Sequence, residues 1–330
     1  MKKTLFTKDL LYIDPQKEID KITEKIRSIL SKKLKRRGLI VALSGGVDSS
    51  VTVGLAVKAI GHERVFALLM PERHSSEDTL GISTSVAKTF NVNRAHEDIS
   101  SILESVGFYK RYNDAVRQVI PEYGVGWKSK IVIANTIENR VFNHFSIVAQ
   151  SPDGDTLKKR LPIKAYLEIV AATNFKQRTR KMLEYYHADR LNYAVAGTPN
   201  RLEYDQGFFV KLGDGAADIK PIAHLYKTQV YQLAHFLGVP EQVCKRPPTT
   251  DTYSLEQGQD EFYFSLPYDK MDLCLYAKNN GFAPNQISEM IGLTTEQIQR
   301  VYDDIDAKRK TTQYLHFQAQ LIEKVAEIKN

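Results

Sequence analysis

Two adjacent glycines flanked by hydroxyls and one carboxylate, in the string Ser44-Gly45-Gly46-Val47-Asp48-Ser49-Ser50, are the residues of this chain best suited to chemistry. The glycines let the backbone turn tightly and approach a ligand with no Cβ in the way. Ser44, Ser49 and Ser50 bring hydroxyls to the start of an apolar stretch at helical spacing, Val51, Leu55 and Ala59. The unpaired N–H groups of a helix N-terminus favour an anion, so the string reads as a phosphate cradle. Asp48 would repel phosphate unless a hard cation stood between them, and its presence in the cradle argues for Mg²⁺ bridging carboxylate and phosphate oxygens. The competing reading is a strand-turn-helix connection whose Ser and Asp merely cap the helix.

The elements that would position this loop are legible around it. Leu39 to Leu43, short, apolar and rich in β-branched types, reads as a strand buried on both faces. Ahead of it, Ile19, Ile22, Ile26, Ile29 and Leu30 form one stripe of an amphipathic helix over 15–36. After the loop helix, Val65 to Met70 predicts a second buried strand, Ser76 to Phe90 a helix, and Val92 to Ile99 a third, partly polar strand. Strand and helix alternate, which predicts a parallel α/β sheet with ligands beyond the carboxyl ends of its strands. That rim would hold both the Ser44 loop and the Pro71 to Asp78 segment.

Residues 107–165 break the alternation and read as an elaboration. Ile131 to Ile133 and Phe145 to Ala149 are expected as strands on either side of a short helix, with Pro152-Asp153-Gly154 as a hairpin-type turn. From Pro162 to Tyr186 a helical pattern returns, carrying Asn174, Arg178 and Arg180, and Tyr193 to Ala196 predicts the next buried strand. From about Asp269 the chain is helical and polar, ending with Leu315 to Ile328 at rough helical spacing. Asn285 to Ile291 followed by Thr294 to Tyr302 has the outline of a helix-turn-helix, but few basic residues lie on its second helix, so a hairpin packed on the core is preferred.

A second constellation follows Ala196. Gly197 to Glu203, Gly207 to Pro221 and Leu225 to Val230 are dense in glycine and charge yet flanked by apolar strand and helix, the composition of an active-site rim. Taken alone, Gly213-Asp214-Gly215 is more readily a solvated turn.

Ser-Gly-Gly-Val-Asp-Ser-Ser resembles the signature of the PP-loop ATP pyrophosphatases; it is neither a Walker loop nor a Rossmann Gly-x-Gly-x-x-Gly. With the second constellation in the same order, the chain resembles the ammonia-dependent NAD synthetases through most of its length. The matching segments are Ser44 to Ser50, Met70-Pro71 with Ser75 to Asp78, Asn174 with Arg178 and Arg180, Gly197-Thr198 to Glu203, Lys211 to Asp218, Leu225 to Thr228, and Pro248 to Asp251 with Asp260-Glu261.

The resemblance implies a doubly wound, mainly parallel α/β sheet flanked by helices, one NAD-synthetase-like domain over 1–330, and a homodimer. It implies that the nicotinate carboxylate of deamido-NAD attacks the α-phosphorus of ATP, pyrophosphate leaves, and ammonia displaces AMP. By position Asp48 and Glu203 would hold Mg²⁺, Lys227 and the loop Ser44, Gly45, Gly46, Val47, Ser49 and Ser50 the phosphates, and Thr198 and Thr249 the ATP. Arg178, Lys211, Asp218, Lys308 and Arg309 would hold deamido-NAD. Neither the length nor the cysteine context of a glutaminase domain is seen, so free ammonia, or ammonia from another protein, is implied.

The chain departs from the family in four places. Its Ala307-Lys308-Arg309 lacks the family's histidine and following prolines, Gln177 precedes Arg178 where alanine is usual, Thr250-Asp251-Thr252 stands for the family's Ala-Asp-Leu, and 107–165 is longer. A PP-loop ligase amidating another carboxylate, such as a sugar acid or secondary metabolite, therefore stays as an alternative. A tRNA-thiolating enzyme would want paired reactive cysteines, and Cys244 and Cys274 lack that spacing. A non-catalytic nucleotide binder would have no call for both metal carboxylates.

The bulk properties fit these readings. The net charge of +7 is spread along the chain, with its densest cluster, Lys32 to Arg37, at a predicted helix end, so nucleic acid is not the expected partner. No apolar run approaches the roughly 18 residues of a membrane span. The start lacks the apolar centre of a signal peptide, and a reducing cytoplasm suits the cysteine usage.

Overall fold

The computed structural model describes residues 6–75, 77–133, 145–248, 252–258, 263–264 and 266–328. In chain order its helices and strands are α1 (Pro15–Ser28), β1 (Leu39–Ala42), α2 (Val47–Ile60), β2 (Val65–Leu69), α3 (Glu77–Thr89), β3 (Asn93–His96), α4 (Ser100–Ser105), α5 (Phe108–Arg117), β4 (Lys128–Ile133) and β5 (Phe145–Gln150). They continue with β6 (Thr156–Arg160), α6 (Ile163–Leu191), β7 (Ala194–Ala196), α7 (Arg201–Gln206), α8 (Lys227–Leu237), α9 (Glu241–Lys245), α10 (Tyr268–Asn279), α11 (Ser288–Ile291) and α12 (Thr295–Thr312).

The main sheet has the order β3-β2-β1-β7 with every pairing parallel. Its direction of growth reverses at β1, because β2 and β3 add on one side and β7 on the other. Such a reversal opens a crevice beyond the carboxyl ends of the two diverging strands, here β1 and β7. The Ser44 loop leaves β1 and the Thr198 loop leaves β7, so the two glycine-rich constellations meet there.

Strand periodicity divides the core. Leu39 and Val41 face one layer, built with Ile22 and Ile26 of α1, Val51 and Leu55 of α2, and Val230 and Leu233 of α8. Ile40, pointing the other way, packs with Phe108, Tyr112 and Val116 of α5 and Ile169 and Ala172 of α6. Helix α1 starts sharply because Pro15 stands in its first turn and the Asp14 carboxylate accepts from the Lys17 N–H at 3.2 Å. It is shorter than expected: beyond Ser28 the chain widens into a π-type turn over Ile29–Leu34 and stops at Lys35, which is left-handed at φ 50°.

The elaboration is mostly a second sheet, antiparallel in the order β4-β5-β6. The expected turn joins β5 to β6, closed by the Ser151 N–H on the Asp155 carbonyl at 2.8 Å, with Gly154 at φ 95°. The short helix expected between Ile133 and Phe145 lies outside the described residues.

The C-terminal half-motif is a packed hairpin. Ile287, Ile291, Ile298, Val301 and Ile305 share one core with α10, and Gly292 turns the chain at φ 69°. The expectation of helix over Leu315 to Ile328 is corrected. One short turn spans Gln313–His316, and the residues after it are irregular with Leu321, Ile322 and Ile328 exposed. Helical spacing alone does not hold a short helix when its apolar face has nothing to cover. Among the described residues no helix is long and apolar enough to cross a membrane.

Candidate active site

A cavity of about 460 Å³ opens where the sheet reverses, and its wall includes Ser44, Asp48, Thr198, Glu203 and Lys227. Gly45 makes the loop possible: its φ is +78°, and a Cβ there would sit 3.2 Å from Ile82 Cγ2. The loop supports itself from within, since Ser49 and Ser50 both donate their hydroxyls to the Gly46 carbonyl, at 3.0 and 2.8 Å. Ser50 is fully buried and stands behind the cradle rather than in its wall. Ser44, Gly46, Val47 and Ser49 do line the cavity.

Asp48, in the first turn of α2, receives two donors from distant elements. Lys227 Nζ bonds Oδ2, and Asn200 Nδ2 bonds Oδ1 at 3.1 Å. Asn200 is also the cap of α7: its Oδ1 accepts from the Leu202 and Glu203 N–H groups, while Glu203 Oε2 accepts from the Asn200 N–H at 3.1 Å. This reciprocal capping box fixes Glu203 one turn from Asp48's partner. Lys227 is held in turn by Asp272, a buried carboxylate of α10 that accepts from the Lys227 and Thr228 N–H groups at 3.2 and 2.7 Å.

The charges are tightly balanced. Desolvation, then the neighbouring Asp48 charge, push the Glu203 carboxyl up to about 8, against the pull of Lys227. Desolvation alone would lower the Lys227 ammonium, but Asp48 and Glu203 outweigh it and hold it protonated above its usual value. Two crowded carboxylates suit a divalent cation, and the donor set is hard oxygen throughout. Among the described residues no group of three or more His, Cys, Asp or Glu could hold a metal, so Asp48 and Glu203 would need phosphate oxygens and water to complete a shell.

Helix α6 contributes a face. Thr173, Asn174, Gln177 and Arg180, at helical spacing, line the cavity, and Arg180 Nε also bonds the Met70 carbonyl at 3.2 Å. Arg178 points off that face; it is exposed, with Nε at 3.4 Å from the Lys211 carbonyl. The other residues expected at the acid are likewise outside the cavity wall of one chain. Lys211 donates to the Tyr314 carbonyl at 2.8 Å. Asp218 accepts from the Val195 N–H at 2.7 Å and from Tyr185. Lys308 is buried, paired with Asp304 at 2.6 Å and donating to the Tyr263 carbonyl. Arg309 grips Asp205 with two bonds, at 2.6 and 2.8 Å. The tail pair is therefore engaged inside the chain, because Asp205 and Asp304 lie within its reach. Thr249 lies outside the described residues.

Sequence reasoning missed Asn200, Asp272 and Asp214. The capping-box spacing of Asn200 and Glu203 was available as a signal for the first. Asp214 sits in the cavity wall, raised by burial, with Oδ1 on the Val210 N–H at 2.7 Å. Nothing in the sequence marks Asp272, which acts from a distant helix.

Fold and site together define a PP-loop-type nucleotide-binding α/β protein, with a glycine-serine cradle at the sheet's reversal and two carboxylates and a lysine around it. The NAD synthase family model matches residues 18–122 and 129–313, and the chain belongs to that family. It is 56% identical over 324 residues to the NH(3)-dependent NAD(+) synthetase of Rhizobium meliloti (strain 1021), covering 98% of this chain and 97% of that protein. Among solved structures, NMN synthetase from Francisella tularensis matches with TM-score 0.65 and 20% identity over 94% of this chain and 99% of that one. The NH3-dependent NAD synthetase from Campylobacter jejuni matches with TM-score 0.60 and 22% identity over 94% and 100%. These two likenesses are of fold.

Proposed function

We propose that the chain is an ATP-dependent amide ligase that adenylates the nicotinate carboxylate of deamido-NAD and displaces AMP with ammonia, giving NAD, AMP and pyrophosphate. The near full-length identity to the Rhizobium meliloti NH(3)-dependent NAD(+) synthetase carries this reading, and the convergence of the Ser44 loop, Thr198, Glu203 and Lys227 on one cavity agrees with it. A carboxylate is a poor acyl donor because oxide would have to leave; adenylation supplies a good leaving group. Two anions must meet, so the site has to supply cations and oriented donors rather than a nucleophilic side chain.

Lys227 and the loop N–H groups hold the ATP phosphates, Thr198 contacts the nucleotide, and Asp48 and Glu203 would hold Mg²⁺. Bound there, Mg²⁺ would neutralise phosphate charge as pyrophosphate departs. Ammonia is mostly ammonium at neutral pH and must lose a proton before its nitrogen attacks. Asp214, a carboxyl of the cavity wall whose affinity for a proton is raised by burial, is suited to take it.

The working unit is a homodimer. Ile163 with Leu167 and Met182 with Tyr186 form two pairs along α6, each four residues apart and each residue more than half exposed, and Arg178 stands one turn before Met182. These pairs form the natural subunit contact, which would bring Arg178 and Lys211 toward a substrate lying between subunits. Both cysteines are free, in keeping with a reducing cytoplasm. The test is an assay of purified protein with ATP, Mg²⁺, ammonium and deamido-NAD, scored for equimolar AMP, pyrophosphate and NAD.

A further inference from the structure

Strand β4 is one of the two edges of the antiparallel sheet β4-β5-β6. A strap from a distant part of the chain lies along it. The Ser129 N–H donates to Ser254 Oγ at 2.9 Å, the Leu255 N–H to the Ser129 carbonyl at 3.2 Å, Lys130 Nζ to the Glu256 carbonyl at 3.0 Å, and Gln257 Nε2 to the Ile131 carbonyl. Ser129 is itself fully buried and receives or gives hydroxyl bonds to Tyr112 and Tyr123, both at 2.9 Å, so the edge is rigidly backed. The two residues just before this pairing, Thr252 and Tyr253, are in the wall of the active-site cavity.

The strap is also fixed at its start. Lys176 Nζ donates to the Thr252 carbonyl at 2.9 Å and to Glu72 Oε1 at 2.6 Å, and Tyr109 donates its hydroxyl to Glu72 Oε2 at 3.0 Å. Lys176 is 1% exposed and Glu72 4%. A buried ion pair is a poor source of stability, because desolvating both charges offsets their attraction, but separating its partners leaves an uncompensated buried charge, which resists their displacement. Here it ties together the segment after β2, the cavity face of α6 and the strap. Phe145 at the start of β5, stacked on Tyr166 of α6 with centroids 4.1 Å apart, brings the inserted sheet into the same wall.

We propose that the inserted sheet is a positioning device for the substrate cavity: β4 and the Lys176–Glu72 pair hold the 252–257 strap so that Thr252 and Tyr253 form a preorganised wall for an organic substrate. Ser129, Lys176 and Gln257 are then positioning residues, acting through the strap. The inference deepens the proposed amidation of deamido-NAD and rests on it for its kinetic arm only.

The experiment pairs Ser254→Ala with Gln257→Ala, which loosen the strap from β4, and sets them beside Lys176→Met. Each variant is measured for kcat and for KM toward ATP and deamido-NAD, and for hydrogen exchange of 252–258. The Ser254→Ala/Gln257→Ala double variant is expected to raise KM for one or both substrates at least about fivefold, with kcat within about twofold, and to speed exchange of 252–258 at least about tenfold. Lys176→Met should speed the same exchange, and combining it with the double variant should add little further to KM. If the double variant leaves KM and exchange unchanged while Lys176→Met abolishes turnover, Lys176 acts directly on substrate and the anchoring role is overturned. Should Lys176→Met fail to fold, the Ser254 and Gln257 variants decide the question alone. A wild type inactive toward deamido-NAD would remove the proposed function, and unchanged exchange in the Ser254/Gln257 variant would remove the anchor, so the two failures read differently.

Discussion

Lys227, the first residue of α8, reaches across to Asp48 in the first turn of α2 and pairs with it in a site where the lysine side chain is 3% and the aspartate 15% exposed. Each charge neutralises the other in this pair, and under the proposed function Lys227 acts on the phosphates and Asp48 on their cation. Asp48→Asn should therefore lower turnover at least about a thousandfold, since losing a metal carboxylate removes several kcal/mol of charge stabilisation. Circular dichroism should report an intact fold. Activity within about tenfold of wild type, with unchanged Mg²⁺ dependence, would refute the assignment.

Glu203 is held beside the same pair by the Asn200 capping box. Glu203→Gln keeps an acceptor for the Asn200 N–H and removes only the charge, so its defect is expected in kcat rather than in stability. Under the proposed function both carboxylates serve one cation, so the Asp48→Asn/Glu203→Gln double variant should be little worse than the more damaged single variant. Multiplicative defects in steady-state kinetics would mean the carboxylates act apart.

Much of this was legible beforehand, and the reason is local. The order of strands and helices up to β3, the cradle at Ser44 and the rim after Ala196 follow from short-range periodicity and turn chemistry, which the sheet only had to bring together. What was not legible depends on long-range contact. Asp272 secures Lys227 from a helix with no motif of its own. Arg178 and Arg180 look equivalent in sequence, yet two positions on a helix face about 200° apart, and only Arg180 lines the cavity. The expected helix over Leu315 to Ile328 carried the right spacing but no face to cover.

The tail pair carries a different expectation from the hold on deamido-NAD that the resemblance implies. Arg309 makes a bidentate contact with Asp205, a half-buried charge-assisted pair, and such bonds contribute about 1.5–3 kcal/mol each at most before solvent screening. Arg309→Ala should lower the urea midpoint of unfolding by an amount worth roughly 1–2 kcal/mol, and leave KM for ATP within about twofold. A large rise in KM for deamido-NAD with unchanged stability would restore the role of a substrate arm.

His74 provides a pH test. Burial pulls its imidazole down to about 4 from 6.5, against the attraction of Glu72, with Arg73 and Lys176 lowering it further. Between those two values the unfolded chain binds a proton that the folded chain refuses. The contribution is thus full above about pH 6.5 and is lost as pH falls toward 4, at up to about 1.4 kcal/mol per pH unit. Relative to wild type, His74→Gln should gain stability as pH drops from 6.5 to 4 in denaturant titrations. Parallel curves for the two proteins across that range would show that His74 titrates normally.

The identity of the amidated acid is open to direct measurement. Wild-type protein with ATP, Mg²⁺ and ammonium is offered deamido-NAD, nicotinate mononucleotide and a panel of sugar acids, with AMP, pyrophosphate and amide product quantified in each. One AMP and one pyrophosphate per NAD are expected with deamido-NAD, and a kcat/KM at least about a hundredfold lower for every other acid. Faster pyrophosphate release with another carboxylate, or none with deamido-NAD, would contradict the proposed function.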